Sequence, residues 1–303
     1  MPTQPISGND LARFSGPQTF MRLPQVDSAK GLNVGFIGVP MDIGTSWRSG
    51  TRMGPKQLRE QSAMIRPYNI QTGAAPFDAL ECADLGDVAI NTFSLSDTIR
   101  LITEAYDAHL KYDFVPMSLG GDHSMTLPIL RSMARKHGPL ALVHVDAHAD
   151  VNDEMFGERE THGTVFRRAY EEGLIVPEMV FQIGLRGTGY TADDFTEAAG
   201  WGFNQYLAPD LWHKSLTPLA AEIKAKIGNH KTYISYDIDS LDPSFAPGTG
   251  TPEIGGLTTM QAMELIRGLR GLHIVGCDLV EVSPPYDPSG NTALTGANLM
   301  FEM

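Results

Sequence analysis

Three short stretches concentrate the side chains able to hold a metal ion. In residues 141–150, ALVHVDAHAD, the apolar run Ala141, Leu142, Val143 and Val145 leads straight into Asp146, His148 and Asp150. A β-strand sends every second side chain to the same face, so these three groups point one way. They lie where an apolar strand runs out, which in an open α/β sheet is the ligand end. Residues 231–243, KTYISYDIDSLDP, repeat the design: strand-like residues up to Tyr236, then Asp237 and Asp239 two apart. Residues 116–124, PMSLGGDHS, end a short strand in a Gly-Gly turn that presents His123. Carboxylate oxygens and imidazole nitrogens that converge are ligands for divalent cations. His123, Asp146, His148, Asp150, Asp237 and Asp239 exceed what one tetrahedral zinc with an open position can use. They suit two ions ~3.5–4 Å apart that share carboxylates and activate water as a nucleophile. A solvated turn would not require the strict i, i+2, i+4 spacing.

The chain must therefore build strands that end at these residues. A strand is predicted over 33–40, followed by the Gly-rich loop MDIGTSWRSGTRMGP, whose Pro55 suits the first turn of a helix over 56–65. The loop lacks the Lys-Ser/Thr ending of a phosphate loop. Ile99, Ile102, Tyr106 and Leu110 form a helical stripe over 96–110 behind a Ser96-Asp97 start. The strand into His123 precedes a helix over 127–136 closed by Gly138, and then the strand that carries DAHAD. Helix 165–172, strand 178–185, helix 219–227 and strand 232–238 follow. Thr258 or Thr259 caps a helix over 260–269, ahead of strand 274–282 and a short helix over 297–303. The strands are continuous apolar runs that alternate with helices, the pattern of a parallel sheet covered on both faces. The expected fold is a three-layer α/β/α domain with a central, mostly parallel sheet. Residues 1–32 carry Pro2, Pro5, Pro17 and Pro24 without a period, and read as an N-terminal arm on the body or on a neighbouring subunit. No linker divides residues 33–303, read as a single catalytic domain.

Composition excludes several classes. With 42% hydrophobic and 19% charged residues the chain is an ordinary globular protein with a substantial core. Its formal charge of −13 argues against a nucleic-acid surface. Two cysteines, Cys82 and Cys277, make no disulfide framework. No basic or apolar leader and no apolar run of membrane-spanning length is present, so a cytoplasmic protein without a membrane partner is expected.

Neighbouring residues choose the electrophile. Glu281, in LVEVSPPYD, ends an apolar strand, where an unpaired carboxylate would be costly; it should face a cavity and accept a cation. His162, in THGTVF, is either a loop or N-cap histidine or a proton shuttle that titrates near neutrality. Asn152 follows Asp150 by two residues and can orient a substrate amine. His144 shares the face of Asp146 but lies deeper, as a histidine packed behind the ligands.

GGDHS, DAHAD and SYDIDSLDP, in this order, resemble the signatures of the ureohydrolases, the arginase and agmatinase family. The resemblance runs from about Val34 onwards. It implies the arginase-like fold, the six ligands named above and a binuclear metal centre. It also implies a shuttle role for His162, a guanidinium-holding role for Glu281, and an Asp150 that accepts a hydrogen bond from the nucleophile. Trimers or hexamers are implied too. MDIGTSWRSGTRMGP, MIRPYN, TGAAPFD, DVNDEMFGE, HGTVFRRA and GTGTPEIGG are similar to the 4-guanidinobutyrase branch, in which Met155 is the usual residue. Trp47 and Val165 depart from that branch, at positions expected to line the cavity wall.

The function implied is a dinuclear-metal hydrolase that cleaves a linear guanidino compound, 4-guanidinobutanoate first, to urea and an amine. Alternatives are an agmatinase, a guanidinopropionase, or a hydrolase of another small guanidine or biguanide. The assigned residues are Asp150, His162 and Glu281 for catalysis, with Asn152, Met155, Glu281 and Trp47 around the substrate. Mn is the expected ion, with Ni, Co or Zn as alternatives by affinity order. A phosphatase lacks its Arg or Lys clamp, and an amide hydrolase of the deacetylase type uses fewer carboxylates. A non-catalytic partner subunit would have no need of the complete set.

Overall fold

The computed structural model describes residues 2–303, apart from the side chains of Ala192 and Phe195. Eight strands form one sheet: β1 (Val34–Val39), β2 (Cys82–Asp87), β3 (Val115–Gly120), β4 (Leu140–Val145), β5 (Ile175–Leu185), β6 (Asn204–Leu207), β7 (Lys231–Asp237) and β8 (His273–Val280). Their order is β2-β1-β3-β8-β7-β4-β5-β6, and every pairing is parallel. Two separate apolar cores lie against the sheet, as a sheet with two covered faces demands. One contains Phe36, Leu119, Ile234 and Leu279, the other Ile37, Leu142, Tyr233 and Val280. Successive strand residues therefore alternate between the cores, and both parities are apolar. This is the three-layer α/β/α architecture expected from the uninterrupted runs, and the sheet is wholly parallel.

Sequence separation and spatial order differ in a way that matters for the site. The four central strands, β3-β8-β7-β4, are the ones that end at GGDHS, LVEVS, DIDS and DAHAD. Their carboxyl ends lie side by side, so residues from 121 to 283 meet above one edge of the sheet. The Gly-Gly turn after β3 is a packing requirement: a Cβ on Gly121 would lie 2.6 Å from the Val39 carbonyl, and one on Gly120 would lie 2.7 Å from that of Leu279. Any larger residue would force β3 away from β1 and β8.

Several local expectations need correction. Helix Leu95–His109 is capped by Ser94, whose hydroxyl accepts the Asp97 N–H, two residues earlier than the Ser96-Asp97 start. The first long helix is Gly54–Ser62, shifted ahead of 56–65 because the turn before it already carries helical dihedrals. The final helix is Asn291–Glu302, 12 residues, and begins six residues before the expected 297–303. Edge strands β2 and β6 were not anticipated. Of the residues expected to form an arm, Phe20, Met21 and Leu23 are buried in the core, with Phe20 stacked on Phe36 at 4.2 Å. The Phe20 N–H donates to Asp84 at 2.8 Å, and Gln25 bridges to Asp84 beside β2. Burial of a phenylalanine contributes roughly 1.5–3 kcal/mol. Among the described residues no helix is long and apolar enough to cross a membrane.

Candidate active site

The three ligand-bearing stretches converge above the central strands. His123 Nδ1 lies 3.0 Å from Asp150 Oδ2, 3.2 Å from Asp146 Oδ2 and 3.3 Å from Asp237 Oδ2. His148 Nδ1 lies 3.2 Å from Asp239 Oδ2 and 3.4 Å from Asp146 Oδ1. Asp146 thus sends one oxygen to each histidine and stands between two groups of ligands. Nitrogen and oxygen ligands bind ions such as zinc at about 2.0–2.2 Å. Adjacent ligands at right angles would then be about 3 Å apart, close to the spacing seen here.

The donor chemistry fits divalent ions. Ser235 Oγ donates to Asp278 Oδ1 at 2.8 Å, so it receives the His123 Nε2 hydrogen at 2.9 Å. His123 Nδ1 is left buried and without a hydrogen-bond partner, facing three carboxylates. Burial drives the Asp237 carboxyl well above its usual range, and the charges of Asp239 and Asp146 add to the rise. Asp239 is raised for the same reasons, although His148 opposes it. Burial works against the His123 and His148 cations, yet the surrounding aspartates push both well above the ordinary histidine value. The chain alone needs protons to hold these carboxylates together, and two divalent ions would take their place. His144, fully buried, directs Nε2 to Asp146 Oδ2 at 2.7 Å while Gln182 contacts its Nδ1 at 3.1 Å. It orients Asp146 from behind.

Glu281 lies beside this cluster. Its Oε1 accepts the His123 backbone N–H at 2.9 Å and lies 3.3 Å from His162 Nδ1. Its Oε2 is buried and has no partner. Both Glu281 (φ 64°) and Asp150 (φ 52°) occupy the left-handed region, which for a non-glycine residue is costly. Both lie beyond strands that end at Val280 and Val145, so the expected strand alternation does not extend to them. His162 directs Nε2 to Ser46 Oγ at 2.7 Å, and the Ser46 N–H also reaches that nitrogen at 3.1 Å. Burial works against the His162 cation, but the Glu281 hydrogen bond and the charges of Glu281, Asp150 and Asp122 push it up to about 9.

A cavity of about 180 Å³ opens onto the cluster, lined by His148, Asp150, Asp237 and His162 among others. Glu281, expected to face it, does not line it but lies buried behind His162. Asn152 and Met155 line its wall, and the Asn152 amide donates to the Gly163 carbonyl at 3.1 Å. Trp47 is not among the lining residues and is 74% exposed, since its loop turns the indole outward. Val165 is buried in the core below, on helix Val165–Glu171, and does not line the cavity. Neither departure from the branch pattern therefore shapes this wall. Ser46, the segment Thr188–Gly189–Tyr190, Asp194 and Thr251 do line it and were not identified as site residues from the sequence. All but Asp194, which lies in the short helical turn Ala192–Phe195, come from loops, where spacing gives no side-chain direction. Asp278 did carry a signal, an aspartate within an apolar strand.

The model of the Arginase family matches residues 32–303. The chain is 60% identical over 303 residues to the guanidinobutyrase of Pseudomonas aeruginosa, covering 99% of this chain and 95% of that one. It is 53% identical over 300 residues to the mitochondrial guanidino acid hydrolase of Homo sapiens, covering 99% and 85%. Among solved structures, the proclavaminate amidino hydrolase of Streptomyces clavuligerus superposes with a TM-score of 0.90 at 40% identity, covering 96% of this chain and 98% of that one. By fold, by site and by sequence, the chain belongs to the arginase family, binuclear-metal hydrolases that act on guanidino C–N bonds.

Proposed function

We propose that the protein hydrolyses 4-guanidinobutanoate to urea and 4-aminobutanoate. The observation that carries the guanidino reading is Glu281 Oε2, a buried carboxylate oxygen without a partner next to the ligand cluster. Such an oxygen is costly unless a donor reaches it, and a planar guanidinium supplies charge-assisted N–H groups. The similarity to the Pseudomonas aeruginosa guanidinobutyrase supports the choice of acid.

Bound divalent ions would supply Lewis acidity and a hydroxide-strength nucleophile at neutral pH. His123, Asp146, Asp150 and Asp237 would hold one, and Asp146, His148, Asp237 and Asp239 the other. Mn is the expected ion, because the set is rich in carboxylate oxygen; Ni, Co and Zn remain alternatives by affinity. Glu281 binds the guanidinium at Oε2. Asp150 accepts a hydrogen bond from the attacking oxygen. His162 exchanges a proton with the leaving nitrogen, one ring nitrogen turned to Glu281 and the other to Ser46. Asn152 and Met155 flank the substrate chain. We further propose a cytoplasmic homotrimer or homohexamer, for which light scattering on the purified protein should give three or six chains.

A second reading, a small guanidine or biguanide without a carboxylate, is favoured because the arginines near the cavity are already engaged. Arg186 is the lining arginine, and its N–H groups are all engaged by backbone carbonyls. Arg52 pairs with Asp42, and Arg48 stacks on Tyr286 at 5.1 Å. A panel of 4-guanidinobutanoate, 3-guanidinopropanoate, agmatine, arginine, guanidine and a biguanide, assayed for urea or guanylurea with Mn and with Ni, separates the readings. The guanidino acid should have the highest kcat/KM. A higher value for guanidine, agmatine or the biguanide rejects the acid, and no hydrolysis of any member rejects the guanidino reading.

A further inference from the structure

Arg186 directly follows β5 next to the cluster, and among the described residues its charge has no carboxylate partner in a salt bridge. The side chain is buried, and burial lowers its pKa despite the negative charges around it. Nη2 donates to the carbonyls of Asp239 at 2.7 Å, Glu253 at 2.7 Å and Leu241 at 3.2 Å. Nη1 donates to Gly184 and Ser240, both at 3.1 Å, and Nε to Ile254 at 3.2 Å and Glu253 at 3.3 Å. These bonds staple the turn after β7 and the segment around residue 254 to the end of β5. The main chain of the same residue does something separate: the Arg186 N–H donates to the Ala147 carbonyl at 2.9 Å. Ala147 lies between Asp146 and His148, and its own N–H donates to Asp239 Oδ1 at 3.2 Å.

One residue therefore grips both turns that supply Asp146, His148 and Asp239, one ligand atom of each lying within 4.8 Å of the others. The close fit extends to Gly256, where a Cβ would lie 2.6 Å from Arg186 Nη2 and 2.5 Å from the Asp242 N–H nitrogen. The chain keeps that position empty so that the guanidinium and its carbonyls can meet. His123 has no contact of this kind; its ring is held by Ser235 and its backbone by Glu281.

We propose that Arg186 is a positioning residue for the His148 ion alone, setting that ion's affinity by fixing the distance between the two ligand turns. The proposal rests on the two-ion reading of the site. Lysine at this position keeps the charge and brings three donors on a narrow ammonium, so it cannot span carbonyls on both sides of the turn. Loss of a group that orients metal ligands typically weakens metal binding 10–100-fold.

The test is metal titration of the full-length protein with Mn(II), with ion content measured by mass spectrometry after equilibrium dialysis. Wild type should hold two ions per chain. Arg186→Lys should hold one ion as tightly as wild type and bind the other, the His148 ion, at least ~10-fold less well. Gly256→Ala should shift the same ion in the same direction. In the His148→Ala background, Arg186→Lys should have no further effect on the remaining ion. Circular dichroism in chelator confirms that each variant is folded; should Arg186→Lys fail there, Gly256→Ala and Arg186→Gln carry the test. Two ions at wild-type affinity in the folded variants, or an equal loss of both, overturns the proposal. Fewer than two ions in wild type overturns the two-ion reading instead.

Discussion

Asp146→Ala should leave a protein without measurable urea release and with less than one ion per chain. Asp146 contributes Oδ2 to the His123 side and Oδ1 to the His148 side, so its removal opens both groups at once. It also frees His144, which then has no carboxylate to orient. The bound ions would supply both nucleophile and charge stabilisation, each worth several kcal/mol of barrier. At 1.36 kcal/mol per decade, loss of both should lower turnover by at least ~10³-fold. Asp237→Ala should act alike, because its Oδ2 faces the same His123 nitrogen. Urea assays and ion counts on the same preparations decide the matter. Near-normal turnover with two ions in Asp146→Ala would remove it from the ligand set.

Glu281→Gln should separate substrate binding from metal binding. The glutamine carbonyl can still accept the His123 N–H, so the cluster should keep its ions. The second oxygen, however, becomes an amide that cannot neutralise a guanidinium. Breaking a buried, hydrogen-bonded charge pair costs about 2–5 kcal/mol, so kcat/KM should fall roughly 30- to 4,000-fold. His162→Ala is the contrasting variant: about 10²–10⁴-fold in kcat, with KM little changed. Unaltered kcat/KM in Glu281→Gln would sink the guanidinium role, and loss of ions in it would mean that Glu281 supports the metals.

The six ligand candidates were marked by the places where apolar strands run out, but strict alternation does not carry them. β4 stops at Val145, ahead of Asp146, His148 and Asp150; His123 and Asp239 sit in short helical turns, and only Asp237 lies within a strand. Positive φ at Asp150 and Glu281 was not legible, since both could have continued the alternation. The wholly buried strands were visible as apolar runs, but β2 carries Asp84, Gly86 and Asp87, and β6 is Asn-Gln-Tyr-Leu. Edge strands need bury only one flank, so hydrophobicity does not mark them. Gly296 disguised the helix Asn291–Glu302, because glycine lowers helix propensity. Its reason is tertiary: a Cβ there would lie 2.9 Å from Leu58 and 3.0 Å from Leu279. Trp47 misled because a bulky residue in a site-proximal loop says nothing about which way the loop turns it.

The order of the sheet has a consequence for how the protein comes to exist in the cell. β8 is made after every other described strand, yet it lies between β3 and β7. Until it arrives, a nascent chain has two halves, each with an unsatisfied apolar strand edge, the kind of surface on which chains self-associate during synthesis. Such long-range parallel pairing is slow to form. Glu281 arrives with β8, so His123 gains its backbone anchor only at that final insertion. Metal capture that waits for this anchor would come at the end of folding and would stabilise contacts absent from the transition state. Ions should therefore slow unfolding while leaving the refolding rate nearly unchanged. Cells short of the metal would make the protein at the usual pace and lose it faster.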